Sequence, residues 1–347
     1  MFAKRYFVSI LVILVLFEDK KILITGGTGS LGKALTKRLL DSGANSVRVF
    51  SRNESKQIEM EREFEFDSRL RFLIGDVRDK DRLIRAVEGV DMVFHGAALK
   101  HVPVIEYNPF EGIQTNIIGS QNVIDACHIE NVEFAVAVGT DKAVSPVNVY
   151  GATKLVMEKL FLTASNYVNK EKHTTKFFVA RYGNVFGSSG SVVPAFIQRI
   201  KSDKKITITN PDMTRFSITM NEALDFILNS VKEANGAETF IPKLKAYNIM
   251  DVKDAIFELM GKGELEITSI RPGEKMHESL ISLTEMRYAI ESKKKYIIFK
   301  PDEFVEKNKK YSQYKNIENI FEYSSDKAQK LSKSEIKEIV KNSKLLE

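Results

Sequence analysis

The 347-residue chain contains a single cysteine, Cys127, so it can form no internal disulfide. This is consistent with a reducing compartment, and we expect a cytoplasmic protein. The five histidines are scattered without the spacing of metal ligands, so no metal site is predicted. The net charge of +6 is spread along the chain, with no basic stripe and no nucleic-acid-binding motif. The composition therefore argues against a nucleic-acid partner and suits an anionic small molecule.

An apolar run near the N-terminus is too short to span a bilayer. Residues 7–17 are almost wholly apolar and follow Lys4 and Arg5, whereas a spanning helix needs about 20 apolar residues. The run resembles the apolar region of a signal peptide, but no small-residue cleavage site follows it. We favour an N-terminal apolar extension over residues 1–19. The alternative is a peripheral membrane anchor, and membrane association is possible only through residues 7–17.

Six short apolar runs alternate with helical patterns in the first half of the chain. The runs cover residues 21–25, 46–50, 71–74, 91–95, 132–138 and 176–182. Alternation at this spacing predicts an α/β fold, a Rossmann-type doubly wound parallel sheet. After residue 182 the elements become shorter, which predicts a smaller C-terminal domain. With 43% apolar residues, the chain can bury a sizeable core.

A glycine-rich turn follows the first predicted strand and precedes an amphipathic helix. Strand, glycine turn and helix in this order are the context that a dinucleotide-binding fingerprint requires. Glycines permit a tight turn and close backbone approach, and the helix N-terminus then meets the pyrophosphate. The alternative is a glycine-rich turn without a ligand. The predicted dinucleotide contacts in this turn are Gly26, Thr28, Gly29, Ser30, Leu31 and Gly32.

The end of the second predicted strand indicates which dinucleotide binds. An NAD site usually has an acidic residue there for the ribose hydroxyls, whereas this chain reads S-R-N-E-S-K over residues 51–56. Arg52 and Lys56 can pair with a ribose phosphate, so NADP is favoured over NAD; the alternative is ordinary surface cations. Asp76 is predicted to accept from the adenine amino group, with a helix N-cap as its alternative. The further predicted cofactor contacts are Ser51, Asn53, Glu54, Val77, Ala97, Ala98, Lys100, Thr115, Tyr150, Lys154 and Val185.

Tyr150 and Lys154 lie four residues apart beyond the fifth predicted strand, a spacing that places both on one face of a helix. A lysine beside a tyrosine favours the phenolate and lowers a pKa that is about 10 when unperturbed. Thr140, Asp141 and Lys142 stand at the end of the fifth strand, where the alternative role is helix capping with a surface ion pair. Because ligands bind at the carboxyl ends of such strands, we predict that these five residues are catalytic.

Substrate contacts are predicted after residue 182, where a polar, glycine-rich segment stands at the carboxyl end of the sixth predicted strand. The candidates for pairing with a diphosphate are four basic residues farther along, Arg215, Lys243, Arg271 and Lys275, although any one alone is more typical of a solvated surface. The predicted substrate-binding residues are Lys100, Asn184, Ser189, Ser191, Arg215, Lys243, Arg271 and Glu274. We expect an NADP-binding domain over 20–185, with part of 218–242 packing back on it, a substrate-binding domain over 186–300 and a tail over 301–347.

The glycine turn together with Tyr150-x-x-x-Lys154 resembles an extended short-chain dehydrogenase/reductase. More specifically, residues 20–282 resemble the inverting UDP-N-acetylglucosamine 4,6-dehydratases of glycan and polysaccharide biosynthesis. The chain departs from that family at Gly139, where Ser is frequent, and at Ser189, where Arg is expected. The matching segments are G-D-V-R-D (75–79), A-A-L-K-H-V-P (97–103), E-Y-N-P (106–109), T-D-K-A (140–143), N-V-Y-G-A-T-K (148–154), R-Y-G-N-V (181–185), M-T-R-F (213–216) and R-P-G-E-K (271–275).

The resemblance implies a redox-neutral dehydration of UDP-N-acetylglucosamine. Hydride leaves carbon 4 of the hexose for NADP⁺, the carbon-5 proton is lost, the carbon-6 hydroxyl departs, and hydride returns to carbon 6. By the same resemblance, Lys142 is the carbon-5 base, Asp141 is the acid, Thr140 binds the carbon-4 hydroxyl, and Tyr150 and Lys154 assist the oxidation. A lysine base must be neutral; burial and Lys154 are expected to lower its pKa and Asp141 to raise it.

Two other functions remain open from the sequence. One is a UDP-N-acetylhexosamine 4-epimerase, which interconverts hexoses without losing water. The other is a non-catalytic NADP-binding regulator, against which the retained catalytic residues argue. In every case the protein is expected to be a homo-oligomer.

Overall fold

The structure is a computed structural model that describes residues 16–188, 190–343, 345 and 346. Residues 1–15, which include most of the apolar run, and Ser189 lie outside the described residues. Within the described ranges, no helix is both long enough and apolar enough to cross a membrane.

A ten-stranded sheet forms the centre of the molecule. The strands of the described chain are β1 (Lys21–Thr25), β2 (Ser46–Ser51), β3 (Leu70–Ile74), β4 (Met92–His95), β5 (Phe134–Val138), β6 (Lys176–Ala180), β7 (Asn184–Val185), β8 (Ile206–Ile208), β9 (Thr214–Ile218), β10 (Thr239–Pro242), β11 (Ala246–Asn248), β12 (Leu265–Ile267), β13 (Ser279–Ile281), β14 (Ala289–Glu291), β15 (Lys295–Ile298), β16 (Lys315–Asn316) and β17 (Tyr323–Ser324). The order in the central sheet is β16-β14-β15-β10-β6-β5-β4-β1-β2-β3. Pairing is parallel from β3 to β10 and antiparallel from β10 to β16.

Helices follow most strands of the parallel part. The α-helices that lie wholly within the described residues are α1 (Ser30–Asp41), α2 (Glu54–Glu63), α3 (Lys80–Val87), α4 (Val102–Tyr107), α5 (Pro109–Ile113), α6 (Gly119–Ile129), α7 (Val149–Thr163), α8 (Val192–Lys201), α9 (Met220–Glu233), α10 (Ile249–Met260), α11 (Leu283–Met286), α12 (Phe304–Asn308) and α13 (Lys333–Asn342).

The alternating side chains of the buried strands supply a core on each face of the sheet. In β1, Ile22 and Ile24 pack into one cluster with α1 and α9, whereas Leu23 packs into the other with α3, α6 and α7. This is the period of two expected for a strand covered on both faces. The predicted doubly wound α/β fold is therefore confirmed.

A π-helical turn, Gln114–Ile118, lies between α5 and α6. This turn buries Thr115 and Asn116. The Asn116 amide accepts from the Leu99 N–H at 2.8 Å and donates to the Leu99 carbonyl at 3.0 Å. The irregular turn thereby fixes the segment that follows β4, which is the position of the predicted Ala97, Ala98 and Lys100 contacts.

The chain after β6 builds smaller sheets and also returns to the central one. One small sheet has the order β11-β9-β7, and β12-β8 and β13-β17 form pairs. Helix α13 packs on α10 and buries Ile336 and Val340. By contrast, β10 and β14–β16 extend the central sheet, so residues beyond 185 supply four of its ten strands.

Phe17 corrects the predicted boundary of the N-terminal extension. Its side chain is fully buried in the cluster that contains Ile22 and Leu39, and Leu16 packs against the same cluster. Phe17 is therefore part of the core, because it covers the sheet face next to α1.

Candidate active site

A cleft of about 910 Å³ opens at the carboxyl ends of β1, β4 and β5. The strand register pairs Thr25 with His95 and His95 with Ala137, so the three strands end at nearly the same level. Ligands bind at this edge of doubly wound sheets. The predicted site residues that line the cleft are Gly26, Gly29, Ser30, Leu31, Gly32, Ala97, Ala98, Lys100, Thr140, Lys142, Tyr150, Lys154, Asn184, Val185, Ser191, Arg215, Arg271 and Glu274.

The glycine turn between β1 and α1 is shaped for close approach of a ligand. Gly26 has a φ of 69°, and a Cβ there would lie 2.9 Å from the Cα of Ala97. A Cβ on Gly32 would lie 2.4 Å from the carbonyl oxygen of Gly27. Helix α1 begins after Gly29, which provides no side-chain cap, and the N-terminus of a helix favours an anion. This cradle fits the pyrophosphate of a dinucleotide.

The end of β2 lies beside the cleft rather than in its lining. Arg52 and Lys56 are exposed there. Asn53 accepts from the Lys56 N–H at 2.9 Å and so caps α2, and the buried Ser51 accepts from the Gln57 amide at 3.0 Å. The predicted residues that do not line the cleft also include Thr28, Glu54, Asp76, Val77, Thr115, Asp141 and Lys243.

Asp76 does not cap a helix. The Arg78 guanidinium donates to its carboxylate at 2.7 Å, and Arg52 Nη1 lies 3.5 Å away. Helix α3 is capped instead by Asp79, which accepts from the Arg82 N–H at 2.9 Å. The capping alternative for Asp76 is therefore wrong, and its contact with adenine stays a prediction.

A short 3₁₀ turn directly after β5 holds Thr140, Asp141 and Lys142 together. Thr140 Oγ1 donates to Asp141 Oδ1 at 3.0 Å, and Lys142 Nζ donates to the same oxygen at 3.0 Å and to Asn184 Oδ1 at 2.9 Å. Asp141 is fully buried, and its Oδ2 has no hydrogen-bond partner in the described structure. Thr140 does cap the turn, but the ion pair is internal, unlike the surface pair of the alternative interpretation.

Lys142 is held as an ammonium. Burial lowers its pKa, but the carboxylates of Asp141 and Glu278 outweigh burial, so the pKa is raised overall; Arg215 opposes them. The sequence analysis predicted correctly that burial lowers the pKa of Lys142 and that Asp141 raises it. The predicted lowering by Lys154 is not among the influences on this pKa, whereas the contribution of Glu278 was not foreseen.

Tyr150 and Lys154 share one face of α7, which begins after the N-cap Asn148. Burial raises the pKa of Tyr150, and the opposing cation is Lys142 rather than Lys154. Lys154 Nζ donates to the Val138 carbonyl at 2.8 Å. Burial lowers the pKa of Lys154 to about 8, against the influence of a nearby glutamate. The predicted effect of the Lys154 ammonium on the Tyr150 phenol is therefore wrong, because the Val138 carbonyl at the end of β5 binds this ammonium.

On the substrate side, Arg215 is fixed by backbone carbonyls. Its guanidinium donates to the carbonyls of Thr214, Met276 and Lys275 at 2.7, 3.0 and 2.9 Å, and Glu274 lies 4.0 Å away. Lys275 was itself a sequence candidate for a diphosphate contact. It does not line the cleft, and its ammonium donates to the Val144 carbonyl at 2.6 Å.

Lys243 lies away from the other substrate candidates. Its ammonium pairs with Glu291 and stands 4.6 Å from the centre of the Tyr296 ring. This position follows from the pairing of β10 with β15, which places Lys243 just beyond the sheet rather than at the cleft. The predicted substrate contact of Lys243 is therefore corrected. Ser191 does line the cleft, and its Oγ is buried without a hydrogen-bond partner among the described residues.

Gly139, a departure from the family pattern, is explained by a buried ion pair. Arg181 donates to Glu158 at 2.6 Å and to Glu285 at 2.8 Å. A Cβ on residue 139 would lie 2.5 Å from Glu158 Oε1 and 3.0 Å from the Arg181 Cα. The sequence analysis did not single out this pair, because its members are distant in the chain and carry no motif spacing.

His95 is a satisfied core histidine. Its Nδ1 and Nε2 bond to the hydroxyls of Thr25 and Ser120 at 2.8 and 2.9 Å. Burial, with a smaller effect of Lys154, lowers the pKa of His95 to about 3, so the ring stays neutral.

Known proteins of similar sequence and structure agree with this geometry. Residues 22–300 match the family model described as "Polysaccharide biosynthesis protein". The chain is 44% identical over 319 residues to the UDP-N-acetylglucosamine 4,6-dehydratase (inverting) of Campylobacter jejuni, covering 90% of this chain and 94% of that protein. It is 39% identical over 337 residues to the UDP-glucose 4-epimerase of Rickettsia felis, covering 94% and 97%. The X-ray structure of Pen from Bacillus thuringiensis matches with a TM-score of 0.88 and 39% identity, covering 95% of this chain and 99% of that one.

These matches extend over nearly the whole described chain and confirm the resemblance drawn from the motifs. The chain belongs to the polysaccharide biosynthesis protein family of extended short-chain dehydrogenases/reductases.

Proposed function

We propose that this protein is a lyase that converts UDP-N-acetylglucosamine to a UDP-linked 4-keto-6-deoxy-N-acetylhexosamine with inversion at carbon 5. The observation that carries the proposal is the buried Asp141–Lys142 pair, joined at 3.0 Å beside Tyr150 and Lys154. A plain epimerase needs no base for carbon 5 and no acid for a departing hydroxyl. The 44% identity to an inverting dehydratase supports the same reaction.

The catalytic pair is arranged to supply an acid and a base together. Bound NADP would supply hydride acceptance from carbon 4 and hydride return to carbon 6. Transfer of one proton from Lys142 Nζ to Asp141 Oδ1 would leave a neutral amine and a carboxylic acid. The amine can then remove the carbon-5 proton while the acid protonates the departing carbon-6 hydroxyl, and the ammonium so formed can return a proton to carbon 5 when carbon 6 receives hydride. Because the two groups titrate as a unit, this internal transfer requires no proton exchange with solvent.

Thr140 and Tyr150 serve the first step of this mechanism. Burial keeps Tyr150 as a neutral phenol in the free enzyme. The Thr140 hydroxyl would orient the carbon-4 hydroxyl. To accept the proton that this hydroxyl releases on oxidation, Tyr150 would first lose its own proton and act as a phenolate. Lys154 would stay between the Val138 carbonyl and the cofactor ribose, where burial has lowered its pKa to about 8.

NADP is proposed as the cofactor in preference to NAD. The glycine cradle supports a dinucleotide, and the exposed Arg52 and Lys56 at the end of β2 support the ribose phosphate. Asp76 and Val77 would contact adenine. Ser51, Asn53, Glu54, Thr28 and Thr115 complete the proposed cofactor contacts together with the cleft-lining residues of the glycine turn, Ala97, Ala98, Lys100 and Val185.

Asn184, Ser191, Arg215, Arg271, Glu274 and Lys100 are proposed to bind the substrate. Arg215 and Arg271 would pair with the diphosphate, because guanidinium groups bind phosphate oxygens in bidentate geometry. We also propose that residues 20–185 hold the cofactor, with part of the segment 218–242 packing back on them, that residues 186–300 hold the sugar nucleotide, and that the protein acts as a cytoplasmic homo-oligomer.

Product mass tests the function directly. Purified protein is incubated with UDP-N-acetylglucosamine and the nucleotide sugar is analysed by mass spectrometry. Loss of one water supports the dehydratase. An isomer of unchanged mass indicates the 4-epimerase, and unchanged substrate despite bound NADP indicates the regulator.

A further inference from the structure

A buried glutamate outside the predicted catalytic set lies against the base. Glu278 immediately precedes β13 and is 4% exposed. Its backbone N–H donates to Ser325 Oγ at 2.9 Å, which anchors the main chain. Its side-chain Oε2 has no hydrogen-bond partner among the described residues. A buried carboxylate whose oxygen lacks a hydrogen-bond donor is stable only when positively charged groups lie close to it.

Three cations supply that compensation. Lys142 Nζ lies 3.7 Å from the Glu278 carboxylate, Lys275 Nζ lies 3.8 Å from it, and Arg215 Nε lies 4.0 Å from it. Each of these cations donates its hydrogen bonds elsewhere: Lys142 to Asp141, and the other two to backbone carbonyls. Glu278 therefore acts on all three cations through charge at short range, and it shares Lys142 with the Asp141 carboxylate.

We propose that Glu278 is a positioning residue of the active site: it holds the Lys142 ammonium in place jointly with Asp141 and opposes loss of its proton. The proposal rests on the proposed function for its catalytic meaning. Through Arg215 and Lys275, the same carboxylate connects the base to the cations on the substrate side. Glu278 is not itself among the residues that line the cleft, so it acts on the site through Lys142.

The charged groups around Lys142 come from several elements. Asp141 lies in its own turn, Glu278 precedes β13, Arg215 comes from β9, and Tyr150 and Tyr247 come from α7 and β11. Asp141 and Glu278 favour the ammonium, whereas Arg215 and burial favour the neutral amine. Removing the charge of Glu278 leaves Asp141 alone against them. The neutral amine must then appear at a lower pH.

The test measures the protonation of Lys142 without relying on turnover. The full-length protein is labelled with a trace of acetic anhydride, which acylates only neutral amines, at a series of pH values. The acetylated fraction of Lys142 is read by peptide mass spectrometry. We expect the half-labelling pH to fall by about one unit in Glu278→Gln, as for loss of an opposite charge within 4–6 Å. Glu322→Gln is the matched control, because Glu322 binds the Ser279 hydroxyl on the same strand pair.

Glu278→Asp keeps the charge but withdraws it by one methylene, so its half-labelling pH must lie between those of wild type and Glu278→Gln. If Glu278→Gln does not fold, a fall of the half-labelling pH in Glu278→Asp supports the proposal by itself. A half-labelling pH equal to wild type in every folded variant overturns it. If the wild-type protein releases no water from UDP-N-acetylglucosamine, the proposed function is wrong. The labelling experiment still decides whether Glu278 stabilises the Lys142 ammonium. In an active enzyme, the alkaline limb of the kcat profile must move with the labelling pH, because the Asp141–Lys142 pair supplies both an acid and a base only while it holds its shared proton.

Discussion

Gly139→Ser is expected to destabilise this protein although serine is frequent at this position in the family. A Cβ at residue 139 would lie 2.5 Å from Glu158 Oε1, 2.9 Å from Val179 Cγ1 and 3.0 Å from the Arg181 Cα. Glu158 cannot simply swing away, because Arg181 donates to it at 2.6 and 3.1 Å. Overpacking of this kind costs about 1–3 kcal/mol.

The structure also indicates what would relieve the clash. Glu158→Asp withdraws the carboxylate by one methylene and opens space beside residue 139. The double variant Gly139→Ser, Glu158→Asp should therefore be more stable than the sum of the two single changes predicts. Urea unfolding followed by fluorescence or circular dichroism gives the four free energies of a double-mutant cycle. The reasoning is refuted if Gly139→Ser unfolds like wild type, or if the two changes are additive.

The other predictions concern the cofactor, the N-terminus and acid stability. Arg52→Asp should weaken NADP binding far more than NAD binding in protein stripped of cofactor; equal losses would remove Arg52 from the ribose-phosphate role. A shortened protein that begins at Leu16 should keep full activity, whereas one that begins at Glu18 should lose stability, because Phe17 is buried in the core; the two melting temperatures decide. Burial raises the pKa of Glu285, but Arg181 outweighs it and brings the pKa to about 2 from an ordinary 4.5. The Arg181–Glu285 pair therefore contributes about 3 kcal/mol to the free energy of unfolding above pH 4.5, and this contribution is lost as the pH falls toward 2. When the free energy of urea unfolding is measured against pH, Glu285→Gln should flatten its fall between pH 4.5 and 2. An unchanged slope in this range would contradict the assignment.

The parallel half of the fold could be predicted because its strands are strongly apolar and separated by amphipathic helices. The run over 132–138 corresponds to β5, and the one over 71–74 to β3, within two residues at each end. The strands β14–β16 were not predicted, because they are two to four residues long and have no clear alternation. The pairing of β15 with β10, of β14 with β15 and of β16 with β14 depends on tertiary contacts that no local pattern records.

The spacing of residues along the chain also explains which parts of the site could be predicted from the sequence. The glycine turn and the residues from Thr140 to Lys154 are contiguous motifs, and the structure brings most of them to one cleft. The contact of Glu278 with Lys142 could not be predicted, because the two residues are far apart in the chain. The four-residue spacing of Tyr150 and Lys154 fixed the helix face but not the partner of the ammonium, which is the Val138 carbonyl.

The most direct test of the account is the reaction in heavy water, comparing wild type with Lys142→Ala. If Lys142 exchanges the carbon-5 proton and returns it to the opposite face, the wild-type product carries deuterium at carbon 5. Proton NMR coupling constants of fresh product should then report the L-arabino configuration. Lys142→Ala should keep NADP bound but release no water. A product that retains the starting carbon-5 configuration, or a Lys142→Ala variant at full rate, would contradict the assignment of Lys142 as the base.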